Sequence, residues 1–119
     1  MNKARRERID KRKALKEWSL KVRERDKHKC QMCGSTKHLN AHHIIPKEFA
    51  ETRFELMNGI TLCVRCHKFG LKSAHKNGFY FVTWLYLHKP EQASFLKDKI
   101  LESIDNKAIL LKKAKPKDT

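Results

Sequence analysis

The sequence predicts an α+β fold: a small central unit of two short strands and a helix, with further helices on its N-terminal and C-terminal sides. Three observations lead to this prediction. The chain has 119 residues, of which 39% are hydrophobic and 34% are charged, so its buried core must be small for its length. Two Cys-x-x-Cys pairs bracket short β-prone stretches. Apolar stripes with helical spacing lie outside both pairs.

The N-terminal segment is strongly basic but contains one apolar stripe. Leu15, Trp18 and Val22 are spaced by three and four residues, which places them on one face of a helix. This spacing predicts a helix over about residues 11–26 that docks on the core through Trp18, although a solvated charged helix fits the same pattern. We expect the first ten residues to be frayed or ordered only by a partner. Residues 1–16 are therefore assigned to a basic N-terminal extension, partly helical.

The middle of the chain predicts strand, connection, strand and helix. A β-prone stretch over residues 39–45 ends at Pro46. Asn58-Gly59 is a turn signal, after which residues 60–62 predict a second short strand. The helix is expected from Cys63 to about Lys72, and the whole central unit from residue 17 to residue 76.

The C-terminal part is predicted to be helical. Residues 79–87 are nearly all apolar or aromatic, a run that periodicity alone assigns to either a strand or a helix, and we favour a helix ending near His88. Pro90 suits the first turn of a further helix, because its missing amide hydrogen costs nothing there. The apolar stripe of that helix continues through Phe95, Leu96, Ile100 and Ile104. Residues 77–111 are assigned to this helical extension and residues 112–119 to a basic tail.

Four cysteines form two matched pairs, Cys30-x-x-Cys33 and Cys63-x-x-Cys66. Each pair places two thiolates on a short turn, so that four sulfurs can surround one Zn²⁺ ion tetrahedrally. With all four positions filled by sulfur, such a zinc ion is structural rather than catalytic. Two disulfides, a redox pair or an iron–sulfur centre are the alternatives, and the matched spacing favours one zinc ion per chain.

The charge balance points to a polyanionic partner. Lys and Arg number 28 against 13 Asp and Glu, a formal net charge of +15, which favours nucleic acid over acidic membranes. No apolar run reaches the roughly 18 residues that a membrane span requires. The N-terminus leads into charged residues rather than into an apolar signal segment, so we expect a cytoplasmic protein with no membrane partner.

Several histidines cluster in sequence around the cysteine pairs. His42 and His43 are neighbours in a predicted strand, so their side chains point to opposite faces and suit different tasks. We expect His42 and His67 to meet at a second, open metal site. The remaining histidines outside this cluster are expected to be structural: His28, His38 and His88.

A family resemblance rests on four separated segments. These are Cys30-x-x-Cys33, Ala41-His42-His43-Ile44, Asn58-Gly59-Ile60-Thr61-Leu62-Cys63 and Cys66-His67. Together they resemble the HNH endonuclease motif in its variant with a four-cysteine zinc site, over about residues 17–76. The resemblance implies a zinc-stapled, treble-clef-like ββα-metal fold that holds one divalent ion against the scissile phosphate of DNA.

The resemblance also implies the roles of individual residues. His42 and His67 would be ligands of the catalytic ion, and His43 the general base that takes a proton from water. Asn58 would brace the loop between the strands and so orient His43. A metal held by two imidazoles keeps positions open for phosphate oxygens. We expect Mg²⁺, Mn²⁺, Ni²⁺ or Zn²⁺ to support activity, and products with 5′-phosphate and 3′-hydroxyl ends.

One departure from the family pattern concerns the next histidine. Many members place one a few residues after the position equivalent to His67, whereas here the fourth residue on is Leu71 and the next histidine is His75. His75 is a third metal ligand, a phosphate contact or a surface residue. Phosphate contacts, or simply solvated charges, are expected near the helix start at Arg65, Lys68 and Lys72.

Other functions are weighed against the nuclease. A non-catalytic zinc module that binds nucleic acid needs the cysteines and the basic surface, but it has no use for the histidine set together with Asn58. A scaffold protein would use the aromatic run around Trp84, which more often forms core. Within nucleases we expect contacts mainly with the phosphate backbone, weak sequence specificity and nicking. A phage or mobile-element origin is preferred, with phage packaging proteins (terminase, portal) as partners, and the oligomeric state stays open.

Overall fold

The computed structural model describes residues 2–114, with side chains through residue 106. Its elements are α1 (Lys3–Arg25), β1 (Leu39–His43), β2 (Gly59–Cys63), α2 (Gly78–His88) and α3 (Pro90–Ala114). A short 3-10 turn, Leu56–Asn58, precedes β2, and a single helical turn of π type, Arg65–Phe69, follows it. The predicted α+β fold is confirmed: a two-stranded sheet followed by a helical turn, with helices on both sides. The predicted basic tail begins inside α3, and the rest of it lies outside the described residues.

The first helix is longer than expected. It begins at Lys3, where the Asn2 side chain accepts a hydrogen bond of 2.8 Å from the backbone N–H of Arg5 and caps the helix. The prediction of a frayed N-terminus is therefore wrong, because this segment has an N-cap, good helix formers and no Gly or Pro. The predicted docking of the C-terminal half is confirmed, since Trp18 and Val22 are the buried residues of α1.

The two strands pair antiparallel, in a register that runs from Leu39↔Cys63 to His43↔Gly59. Gly59 is a strand residue with extended backbone (φ −116°, ψ 148°), so the interpretation of Asn58-Gly59 as a turn is wrong. The reason for a glycine is packing. A Cβ at this position would lie 2.8 Å from Cζ2 of Trp18 and would also collide with Val22. Only glycine lets α1 lie so close to the sheet.

The core is small, as the composition predicts. Every residue of β2 is buried, and Ile60 and Leu62 are fully enclosed. Fully burying an aliphatic side chain of this size stabilises the fold by about 1.5–3 kcal/mol. The α3 helix is tied to the start of β2 by Gln92, whose amide donates to the carbonyls of Met57 and Gly59 at 2.9 Å each. The core cluster consists of Cys30, Ile60, Leu62, Cys63, Phe81, Leu85 and Ala93.

The helix after β2 is shorter than expected. It ends at Gly70, whose backbone is extended and whose N–H donates to the Arg65 carbonyl at 2.8 Å. The chain then folds back on this turn, with hydrogen bonds from Ala74 N–H to the Cys66 carbonyl (2.8 Å) and from His75 N–H to the His67 carbonyl (3.0 Å). This reversal places His75 beside His67. No helix of the described part of the chain is both long enough and apolar enough to cross a membrane.

Candidate active site and metal centres

The four cysteines form one cluster. All are free thiols, and their Sγ atoms lie within 4.8 Å of one another, which is evidence against the disulfide alternative. Cys33 Sγ and Cys63 Sγ are 3.5 Å apart. Two thiolates bound to one tetrahedral zinc ion at about 2.3 Å would be separated by about 3.8 Å, so the observed spacing fits zinc.

The protonation of these thiols also fits a cation. Burial opposes ionisation of Cys63, but hydrogen bonds from the Cys66 backbone and the neighbouring thiols lower the pKa of Cys63 to about 7. Burial and the charge of Cys30 raise the pKa of Cys66. Ionisation of one thiol therefore hinders ionisation of its neighbours. A divalent cation among the four sulfurs would offset the repulsion between the thiolates.

Three histidines form a second cluster, each from a different part of the fold. His42 comes from β1, His67 from the π turn and His75 from the reversal after it, and one ring nitrogen of each lies within 4.8 Å of the others. The Nε2 atoms of His67 and His75 are 3.0 Å apart. Adjacent ligands of one metal ion at about 2.0–2.1 Å are separated by about 2.9–3.4 Å, so this spacing also fits a metal site.

Burial and electrostatic repulsion keep two of these imidazoles, those of His42 and His67, in the form that binds metals. Burial, followed by repulsion from His67 and His75, lowers the pKa of His42 to about 3. Burial and the charge of His75 lower the pKa of His67 to about 4. Both rings are therefore neutral near pH 7, as metal ligands must be. In addition, Nδ1 of His67, the ring nitrogen that does not face His75, is buried and finds no hydrogen-bond partner among the described residues.

His43 lies on the α1 side of the strand, apart from these three rings. Its imidazole stacks on the indole of Trp18 with ring centroids 3.8 Å apart and an interplanar angle of 11°. Its Nε2 is 3.0 Å from the carbonyl oxygen of Arg53. Since a carbonyl only accepts hydrogen bonds, Nε2 carries the hydrogen and Nδ1 keeps a free lone pair. Burial lowers the pKa of His43, which favours this neutral form.

Asn58 stabilises the loop between β1 and β2, which contacts His43, through three hydrogen bonds of its side chain. Its side chain is fully buried; Oδ1 accepts from the N–H of Ile45 at 2.7 Å, and Nδ2 donates to the carbonyls of Ile45 (3.0 Å) and Thr52 (3.1 Å). The next carbonyl along the chain, that of Arg53, is the one that His43 contacts. Asn58 therefore acts on His43 through the loop rather than by direct contact.

All four histidines line one cleft of about 510 Å³. Lys68, one of the predicted phosphate contacts, also lines it. Arg65 and Lys72 do not; they line a neighbouring cleft of about 410 Å³, where the Lys72 ammonium lies 5.5 Å from the centre of the Tyr80 ring. The structure thus brings one of the three predicted basic residues to the histidine cleft.

Sequence reasoning missed other residues of this cleft. Lys47 and Glu48 line it, and their position just after Pro46 was the signal that could have located them. Nothing in the sequence indicated that Arg53 would supply a carbonyl to His43. Three other histidines lie outside both candidate metal clusters of the described residues: His28, His38 and His88.

The fold and the clusters define a class: a small ββα domain with a four-thiol zinc-type site and a separate cleft lined by imidazoles. Comparison with known proteins locates one family match. Residues 30–69 match the family model described as HNH endonuclease. The matched range includes the cysteines, His42, His43, Asn58 and His67, but neither Trp18 nor His75. No curated protein and no solved structure matches the chain.

Proposed function

We propose that the protein is a metal-dependent endonuclease that hydrolyses phosphodiester bonds in DNA. One observation carries this proposal: a neutral imidazole with a free Nδ1, that of His43, lines the same cleft as three imidazoles spaced for one cation. A proton acceptor beside a cation site is what hydrolysis of a phosphodiester requires.

In this proposal the chain's residues divide the chemistry between them. His42, His67 and His75 would hold a divalent ion, which when bound acts as a Lewis acid toward the phosphate. Nδ1 of His43 accepts a proton from the attacking water while the water oxygen forms a bond to phosphorus. The bond from phosphorus to the 3′ oxygen then breaks and that oxygen takes up a proton, leaving 5′-phosphate and 3′-hydroxyl ends.

The remaining residues of the site support this centre. Asn58 is proposed as a positioning residue, because it holds the loop whose carbonyl orients His43. The cysteine cluster would hold a structural zinc ion with no open position for substrate. We propose Mg²⁺, Mn²⁺, Ni²⁺ or Zn²⁺ as the ion at the histidine cluster, since imidazole ligands favour transition metals whereas magnesium is more available in the cell.

DNA is proposed to bind through its phosphate backbone. Lys68 and Lys47 stand at the histidine cleft, and Arg65 and Lys72 would continue the basic surface into the neighbouring cleft. Contacts with phosphates carry no sequence information, so we propose weak sequence specificity and, for one active site per chain, nicking.

The biological setting is also a proposal. A small basic nuclease of this kind fits a phage or mobile-element protein that acts in the host cytoplasm, with packaging proteins such as terminase and portal as partners. The proposed organisation keeps a central unit over residues 17–76 and a helical extension over residues 77–111. The proposed basic extension covers residues 1–16, and α1 (Lys3–Arg25) crosses its boundary with the central unit.

The test is plasmid nicking. Purified protein is incubated with supercoiled DNA and Mn²⁺ or Mg²⁺, beside a chelated sample and a His43→Ala variant. Nicking that is lost in both controls supports the proposal. Intact plasmid together with salt-sensitive DNA binding would instead support a non-catalytic zinc module that binds nucleic acid.

A further inference from the structure

We propose that α1, which lies outside the matched domain, is part of the catalytic apparatus, with Trp18 as a positioning residue that fixes the plane of the His43 ring. This inference rests on the proposed role of His43 as the base. It concerns a side chain that contacts neither DNA nor the cation site in the proposal, and that acts through the imidazole on which it stacks.

The geometry of the His43 ring supports this role. The hydrogen bond to the Arg53 carbonyl restrains the Nε2 edge of the ring, but a single hydrogen bond tolerates a range of ring tilts about the Cβ–Cγ bond. The direction of Nδ1 would vary with that tilt. The indole of Trp18, with its ring centroid 3.8 Å away and its plane within 11° of parallel, narrows this range. The hydrogen bond and the stack together define one direction for the Nδ1 lone pair.

Trp18 is itself fixed to the loop that holds His43. The indole is 4% exposed, and its Nε1–H donates to the carbonyl of Glu55 at 2.8 Å. Glu55 lies two residues after Arg53, so one short segment supports both the hydrogen bond and the stack. A second bridge between α1 and this region comes from Arg25, which donates to the Leu56 carbonyl at 2.7 Å.

The glycine opposite His43 in the sheet also supports this role. His43 pairs with Gly59, where the side chains of Trp18 and Val22 leave no room for a Cβ. Any side chain there would collide with Trp18 and Val22 and would lift α1 away from the strand. Trp18 is buried but is not a member of the main core cluster, and the contacts recorded for its indole are with His43, with the Glu55 carbonyl and with the position of Gly59.

The experiment compares two substitutions of Trp18, one that keeps an aromatic ring and one that removes it. Trp18→Phe keeps an aromatic face against His43, whereas Trp18→Leu keeps apolar volume without a ring, and both lose the hydrogen bond to Glu55. We expect Trp18→Phe to retain most of kcat, and Trp18→Leu to lose about 10- to 100-fold in kcat with unchanged KM and unchanged DNA Kd. Assays are run well below the melting temperature of every variant.

A control and a spectroscopic measurement separate positioning from stability. Leu96→Ala removes a buried side chain of α3 and is expected to lower the melting temperature while kcat is retained. The ring protons of His43, assigned by their loss in His43→Ala, should show an aromatic ring-current shift in the wild type and in Trp18→Phe, and lose it in Trp18→Leu.

Three results would overturn the inference: equal kcat in the two Trp18 variants, a kcat loss in Leu96→Ala as large as that in Trp18→Leu, or unchanged His43 shifts in Trp18→Leu. The proposed function fails in a different way. If the wild type does not cut, or if His43→Ala cuts as well as the wild type, the assignment of His43 as the base is wrong.

Discussion

Replacing Asn58 tests the loop that orients His43. Asn58→Ala removes three hydrogen bonds from a fully buried position: one to the N–H of Ile45, one to its carbonyl and one to the carbonyl of Thr52. The backbone groups of Ile45 and Thr52 would be left inside the protein without these partners.

The magnitude follows from these three bonds. At about 1 kcal/mol net for each hydrogen bond, the free energy of unfolding should fall by about 3 kcal/mol. Domains of this size have a stability of about 5–15 kcal/mol, so the loss is large but leaves a folded protein. With m values of about 1–3 kcal/mol/M, the midpoint of urea unfolding should fall by about 1–3 M.

The matched control is Thr52→Val, in the same loop. The Thr52 hydroxyl is buried and finds no hydrogen-bond partner among the described residues, so its removal should change the free energy of unfolding by about 0.5 kcal/mol or less. Urea unfolding is followed at a fixed zinc concentration, and kcat is measured in parallel. In Asn58→Ala, kcat should fall while DNA binding is retained. A loss of stability no larger than that of the control would refute the reasoning.

Three further predictions follow from the metal clusters and from the packing of α1. His75→Ala should weaken Mn²⁺ binding about 10- to 100-fold in calorimetry, and an unchanged affinity would show that this ring is not a metal ligand. The purified protein should contain one tightly held zinc ion, and Cys33→Ser should lower both the zinc content and the melting temperature; metal analysis that finds no zinc in the wild type contradicts the site. Gly59→Ala should destabilise the fold by about 1–3 kcal/mol through overpacking against Trp18. The control Gly78→Ala should not destabilise it, because a Cβ there meets no atom within 4 Å. Equal melting temperatures of the two variants would count against the close approach of α1 to the sheet.

The parts of the fold that depend on local patterns could be predicted from the sequence. The Cys-x-x-Cys spacing indicated the thiol cluster, and Pro90 marked the start of α3. Alternation along a strand separated His42, in the histidine cluster, from His43, which faces α1. These features are set by residues close together in the chain.

The parts that depend on tertiary packing could not be predicted in this way. Asn58-Gly59 resembles a hairpin turn, but the need for glycine comes from a helix more than thirty residues earlier in the chain. His75 reaches the cluster because the chain reverses after Gly70, and no local pattern encodes that reversal. The stacking of Trp18 on His43 likewise joins residues that only the folded chain brings together.

The pairing of β1 with β2 makes the site sensitive to an error of a single residue. Because side chains alternate along a strand, a slip by one position would turn His42 toward α1 and His43 toward the other two imidazoles. Such a hairpin would exchange the positions of the two histidines to which the proposed mechanism gives different tasks. The register is restrained at one end of the sheet by Cys63, which belongs to the thiol cluster, and at the other end by the packing of α1 against Gly59. If the thiol cluster holds zinc as proposed, it would fix the register of the hairpin, and removal of that zinc would be expected to disturb the proposed active site before the chain unfolds.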